Sequence, residues 1–387
     1  MRPTLLSLSL AAALLSCRQA PPPQPQAQAQ APGEVVKYGV PVVAGPMDKV
    51  LLKDYNPKTS LVVPATQVDK ARFPVIDVHA HSSMNGIKTP ADVAAWVRTM
   101  DETGVATSVV FTDAIGPDFD RQVELFKPYP GRFIIFCSLD SRNIDAPDYP
   151  QRAVAELERC YRLGARGVGE LIDKGWGMEG AVDADKKLPQ ARRMHPDDPR
   201  LDAFWDKCAE LRLPVNIHVA DHPSCWQPLG PEQERTPDFQ TFNMVGKDVP
   251  SYQNLLAARD RMLAKHRRTT YIACHLGNQG NDLASLAKVL DANPNLYVDI
   301  SARDYEIGRQ PRFAAKFLTR YKDRVLFGTD MGREKSMYQG WWRLLETEDE
   351  FLPGRIWWRQ YGLGLPAPVL ELLYRGNAQR VLNRGKV

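Results

Sequence analysis

From residue 75 to its end the chain repeats one unit: a short apolar run, a loop, then an amphipathic helix. The runs are VIDVHAH (75–81), TSVVFTD (107–113), RFIIFCSL (132–139), ARGVGELI (165–172), PVNIHVA (214–220), TYIACHLG (270–277), LYVDIS (296–301) and RVLFGTD (324–330). Near-continuous β-branched and aromatic stretches suit parallel strands that helices cover. The helices between them carry clear stops and starts. Thr89 can cap the first, with Pro90 at its first position, Asp92 in its first turn and Gly104 just beyond its end. Eight such units in roughly 310 residues predict an α/β fold, a (β/α)8 TIM barrel with insertions, rather than an open doubly wound sheet. No glycine-rich dinucleotide fingerprint follows the first run.

Three connections are too long to be simple turns. They run from Asp173 to Pro199 after strand four, from Asp221 to Pro250 after strand five, and from Met331 to Leu365 after strand eight. Long loops at the carboxyl side of barrel strands are where such folds build pockets. The last insertion carries Trp341, Trp342, Trp357 and Trp358, which either pack a helix onto the barrel or line a pocket.

The amino-terminal region reads differently. Arg2, the apolar stretch Leu5 to Leu15 and then LLSC ending at Cys17 form an export signal over residues 1–17, too short to span a membrane. A small residue directly before Cys17 resembles a lipobox, which predicts an exported protein. Its only membrane contact would be a lipid anchor at Cys17, holding it to a bacterial membrane on the periplasmic side. Residues 18–33 are rich in Pro, Gln and Ala and predict an extended tether. Residues 34–70 form an extension in which EVVKYGVPVVAG suggests a short strand pair, and 71–387 the barrel domain. The five cysteines after Cys17 do not form a disulfide framework. A net charge of +4, with acids interleaved among the basic clusters, excludes a nucleic-acid partner.

On this frame the ionisable residues converge. His79 and His81 end strand one, Glu170 strand four, His218 strand five, His275 strand six and Asp330 strand eight. Strand alternation puts Asp77, His79 and His81 on one face. Six such groups at one barrel mouth are costly to bury without a metal or a reaction to justify them.

The motifs DVHAH, GVGEL, NIHVAD, CHLG and LFGTD, closed by YRGNAQRVL, together resemble the amidohydrolase superfamily, and within it the amidohydrolase-related branch. That branch includes aminocarboxymuconate-semialdehyde decarboxylase, resorcylate-type decarboxylases and lactone hydrolases. The resemblance spans about Val75 to Leu382. It implies one divalent metal ion, Zn2+ with Mn2+ or Fe2+ as substitutes, held by His79, His81, His218 and Asp330. It also implies that Asp330 takes a proton from the attacking water. His275 is then a base, a stabiliser of charge or a further ligand. Glu170 is a metal bridge, a substrate contact or a support for a ligand. Asp77 would orient a ligand imidazole. Arg303 is placed to meet an anionic substrate or to pair with Asp304 or Glu306. His222 and Cys225 lie nearby without being primary ligands.

Two activities share these residues. One is hydrolysis of a lactone, ester or amide of a small organic acid, and the other is non-oxidative decarboxylation of a cyclic or unsaturated acid. A third reading, a barrel that binds without turnover, sits poorly with so complete a set of site residues. Relatives in the branch are often dimers, so a homodimer is expected on that ground alone.

Overall fold

The computed structural model describes residues 35–37, 40–42, 45–55, 58–178, 188–235, 242–330, 333–354 and 358–382. The export signal, the tether, parts of the first two long insertions and Trp357 lie outside the described residues. The chain divides into two units, Met1–Leu61 and Val62–Val387. In the first, Val35–Lys37 pairs antiparallel with Val40–Val42, the strand pair read from EVVKYGVPVVAG.

The second unit holds eight parallel strands: β1 Val75–His81, β2 Val105–Phe111, β3 Phe133–Phe136, β4 Val168–Asp173, β5 Val215–Val219, β6 Tyr271–Ala273, β7 Leu296–Asp299 and β8 Val325–Leu326. They form a three-stranded sheet, β1-β2-β3, and a five-stranded sheet, β8-β7-β6-β5-β4. Backbone hydrogen bonds cross both gaps. Cys137 bridges to Val168 beyond β3, and the Val78 amide donates to the Phe327 carbonyl at 3.0 Å between β1 and the end of β8. These contacts complete the (β/α)8 ring predicted from the alternating runs.

The helices carry the outer layer. Helix α1, Pro90–Thr103, starts at a capping box in which Thr89 and Asp92 satisfy each other's backbone, and it stops at Gly104 in the left-handed region. Large buried rings, among them Trp96, Trp205 and Trp342, fill the space between helices and strands. Inside the ring, Val78, Val109, Phe111, Phe136, Ile272, Tyr297 and Leu326 pack with Ala378, Val381 and Leu382 of the closing helix, Asn377–Leu382. Among the described residues no helix is long and apolar enough to cross a membrane.

Two departures from the expected strands matter for the site. The pairing of β1 with β2 shifts register between Asp77 and Ala80, which breaks the simple alternation there. Strand β6 stops at Ala273, and His275, Leu276, Gly277 and Asn278 all take left-handed backbone angles, with φ between 55° and 60°. For residues other than glycine that conformation costs about 1–2 kcal/mol each, so tertiary contacts must hold this turn in place. The last insertion contains a helix, Lys335–Glu346, as one reading of its tryptophans expects. Its Trp342 stacks on Tyr338 and packs against Phe327 and Tyr374, so this tryptophan serves packing. Trp341 meets Phe327 edge-on and also lines a cavity of about 390 Å³ with Thr329 and Met337.

Candidate metal centre

The first and last strands meet at the site. The Asp330 amide donates to the His79 carbonyl at 2.8 Å, and Gly328 permits the approach, since a Cβ there would lie 2.8 Å from that of His79. The two histidines of β1 then face the same carboxylate. Asp330 Oδ1 lies 3.2 Å from His79 Nε2 and 3.4 Å from His81 Nε2.

Glu170, on β4, reaches the same point from across the barrel. Its Oε2 lies 3.2 Å from His81 Nε2 and 3.8 Å from His79 Nε2. Its Oε1 turns the other way, 2.8 Å from His218 Nδ1 and 3.4 Å from His275 Nε2. Among the described residues two donor groups share Glu170, His79–His81–Glu170–Asp330 and Glu170–His218–His275, and a third set, His79–Cys274–Asp299, lies behind the His79 ring. His218 thus stands with His275 rather than among the four closest donors, and Glu170 takes its place there.

A cation fits this arrangement on the donors' own geometry. The Nε2 atoms of His79 and His81 are buried and make no hydrogen bond, although carboxylate oxygens surround them. Buried polar atoms are seldom left this way, and atoms converging on one point without hydrogen-bond geometry are what a shared ion requires. The opposite nitrogen of each ring is fixed. His79 Nδ1 meets Asp299 at 3.0 Å, His81 Nδ1 meets Asp113 at 3.3 Å, His218 Nε2 meets Asp221 at 3.1 Å, and His275 Nδ1 meets the Ser301 carbonyl at 2.9 Å. Such outer partners orient ligand imidazoles and set which nitrogen is bare.

Charges follow from the crowding. Burial opposes protonation of His79, but the Asp299 and Glu170 carboxylates outweigh it and hold the imidazole up at about 10. His81, also opposed by burial, is held up at about 12 by Asp113, Asp330 and Glu170. Burial works against ionised Asp330 and Glu170 as well, yet the surrounding imidazoles keep both well below the usual carboxylate range. His275 moves the other way. Burial lowers it, the Glu170 contact resists, and the nearby Arg303 charge lowers it further.

Asp77 does not do what alternation predicts. The register shift turns it away from the imidazoles. Its carboxylate accepts from Tyr338 Oη at 2.8 Å, Thr329 Oγ1 at 2.7 Å and the backbone amides of His79 and Thr329. Asp77 therefore ties β1 to the end of β8, and burial pushes it up to about 6. The residue that orients the His79 ring is Asp299.

Arg303, just past β7, is buried and sits 3.4 Å from Glu306, so the expected ion pair is present. It also contacts Asn278 and donates toward Tyr305 Oη, while its Nε makes no hydrogen bond. His222 stands outside both donor groups; its Nδ1 accepts from the Ser224 amide, and burial with the Arg235 and Arg303 charges lowers it to about 3. The five cysteines after Cys17 are all buried and unpaired.

Sequence reasoning missed Asp299, Ser301, Asp113 and Asp221. The signal was present: each lies at or just beyond the carboxyl end of a strand, in LYVDIS, TSVVFTD and NIHVAD. Only the ring closure shows which imidazole each one serves.

Comparison with known proteins agrees with this architecture. Residues 76–384 match the model of a family described as amidohydrolase. A solved TIM-barrel protein of Bordetella bronchiseptica, itself uncharacterised, aligns at 19% identity and a TM-score of 0.50, covering 81% of this chain and 99% of its own. A 2,6-dihydroxybenzoate decarboxylase bound to 2,6-dihydroxybenzoate aligns at 17% identity and a TM-score of 0.47, covering 82% and 99%. An amidohydrolase of Burkholderia multivorans with bound zinc aligns at 16% identity and 0.44, covering 80% and 98%. No curated protein matches.

Proposed function

The chain belongs to the amidohydrolase family whose model spans residues 76–384, and on that premise we propose that it hydrolyses a lactone, ester or amide of a small organic acid. It is a metal-dependent enzyme of that superfamily. The observation that carries the finer reading is the division of Glu170 between two donor groups, each completed by histidines whose outer nitrogens are already engaged. His79, His81, Glu170 and Asp330 would hold one divalent cation, and His218 and His275 with the other Glu170 oxygen a second. Nitrogen and carboxylate donors of this kind suit Zn2+, with Mn2+ or Fe2+ as substitutes. Bound there, the metal would activate water and polarise the substrate carbonyl.

The protein's own groups supply the rest. Asp330, kept ionised by His79 and His81, accepts the proton of the attacking water. His275 stays neutral under burial and the Arg303 charge, with its Nδ1–H on the Ser301 carbonyl and its Nε2 facing Glu170. Arg303, whose Nε lies 3.4 Å from Glu306 without a hydrogen bond, would exchange that contact for the substrate carboxylate beside the centre. We further propose that the chain is exported and anchored by lipid at Cys17.

The test has two parts. Metal analysis of the purified protein is expected to find about two equivalents per chain; none would refute the catalytic reading. Incubation with lactones and with aromatic acids is expected to release acid or alcohol from the former. Release of CO2 from the latter, with no hydrolysis, would turn the assignment to a decarboxylase using the same donors and Arg303.

A further inference from the structure

The carboxylate of Asp299 touches both of the donor groups that share Glu170 without belonging to either. It is fully buried at the end of β7. Its Oδ1 accepts three hydrogen bonds: from the His275 amide at 3.0 Å, the Ser301 amide at 3.1 Å and the Ser301 hydroxyl at 2.5 Å. Its Oδ2 lies 3.0 Å from His79 Nδ1. With its hydrogen given to Asp299, the Ser301 hydroxyl has only lone pairs left. These lie 3.1 Å from His79 Nδ1 and 2.9 Å from His275 Nδ1.

Each of these contacts constrains the rings in the same sense. His79 Nδ1 faces a carboxylate oxygen and a hydroxyl that can only accept, so Nδ1 must carry hydrogen. His275 Nδ1 faces that hydroxyl and the Ser301 carbonyl, so it must carry hydrogen too. In the neutral form of both rings Nε2 is then the atom left bare, and in both it is the Nε2 that faces Glu170. Asp299 also grips the His275 backbone at the start of its left-handed turn, a conformation that needs such a hold.

We propose that Asp299, acting with Ser301, is a positioning residue that fixes the tautomers of His79 and His275 and so couples the two cation positions through one carboxylate. This rests on the metal-centre reading above and adds a residue that makes no contact with a cation itself.

Asp299→Asn isolates the effect. Three donors converge on Oδ1, so the amide oxygen must occupy that place. The amide nitrogen then faces His79 Nδ1 as a donor, and the ring can respond only by moving its hydrogen to Nε2, which aims it into the donor group. The backbone bonds survive while the ligand is inverted. Zinc affinity, read by competition with a chelator, is expected to fall about 10- to 100-fold in D299N, while the unfolding midpoint of the metal-free protein stays near that of the wild type. Ser301→Ala keeps both Nδ1 acceptors, Asp299 and the Ser301 carbonyl, and is expected to cost less than about tenfold. Asp77→Asn removes an equally buried carboxylate that touches no imidazole ring and serves as the charge control, with affinity within about threefold of wild type. Wild-type affinity in D299N, or a loss matched by D77N, would overturn the proposal while leaving the metal centre standing. A wild-type protein that takes up no zinc would overturn both.

Discussion

Loading the metal-free protein with Zn2+ near neutral pH is expected to expel about two protons from the chain. Without a metal, the cluster's negative oxygens are balanced by imidazolium: His79 is held up at about 10 and His81 at about 12, so both rings carry an extra proton at neutrality. A metal ligand must be unprotonated at the coordinating atom, and the proton that leaves is the one on Nε2, because Asp299 and Asp113 hold Nδ1–H. His218 is shifted upward as well and can only add to the count; His275 is shifted downward and adds nothing. Affinity should therefore rise with pH by about two decades per pH unit between neutrality and about pH 10, then by about one decade per unit up to about pH 12, where His81 also loses its proton unaided. Calorimetric titration in buffers of different ionisation enthalpy measures the release directly. The same shift fixes the sign for stability. A folded pKa raised above the unfolded value of about 6.5 contributes stability that is complete below that value and is lost as pH climbs through about 10. The metal-free protein should thus weaken in that window, and the loaded protein should not. Release of less than about one proton, or an affinity independent of pH, would refute the reasoning.

Replacing Tyr338 by Phe removes the hydroxyl that donates to Asp77 and leaves a buried carboxylate short of a donor. The expected cost is about 1–3 kcal/mol in urea unfolding, with zinc affinity unchanged. Arg303→Met should raise KM about tenfold or more for substrates bearing a carboxylate while sparing neutral esters, and equal losses on both would show that the arginine only supports the fold. Cys17→Ser should abolish lipid labelling and release the protein from membranes; retention of the label would remove the anchor.

Much of the fold was legible because the signature of a parallel barrel is repetitive. Eight apolar runs with capped helices between them leave few alternatives, and the Thr89–Asp92 box and the Gly104 stop stand where the sequence places them. The convergence of His79, His81, Glu170 and Asp330 was legible for the same reason, since all end strands of one ring. Local backbone deviations were not. The shift between Asp77 and Ala80 and the left-handed turn after Ala273 depend on contacts with distant strands, and a periodic pattern assumes a regular strand. Strict alternation therefore places Asp77 on the wrong side, and the role of orienting His79 belongs to Asp299, 220 positions away in sequence.

The seam between the first and last strands has a consequence for assembly. Asp77 and Thr329, which join the two strands, are 252 positions apart in the chain, and the donors His79 and Asp330 sit at that same junction. Contacts so remote in sequence are late and slow to form. A growing or truncated chain that lacks β8 holds the two histidines of β1 without the carboxylate that completes their group. Tight capture of metal therefore waits for closure of the whole ring, and acquisition of the ion reports that synthesis and folding have both finished.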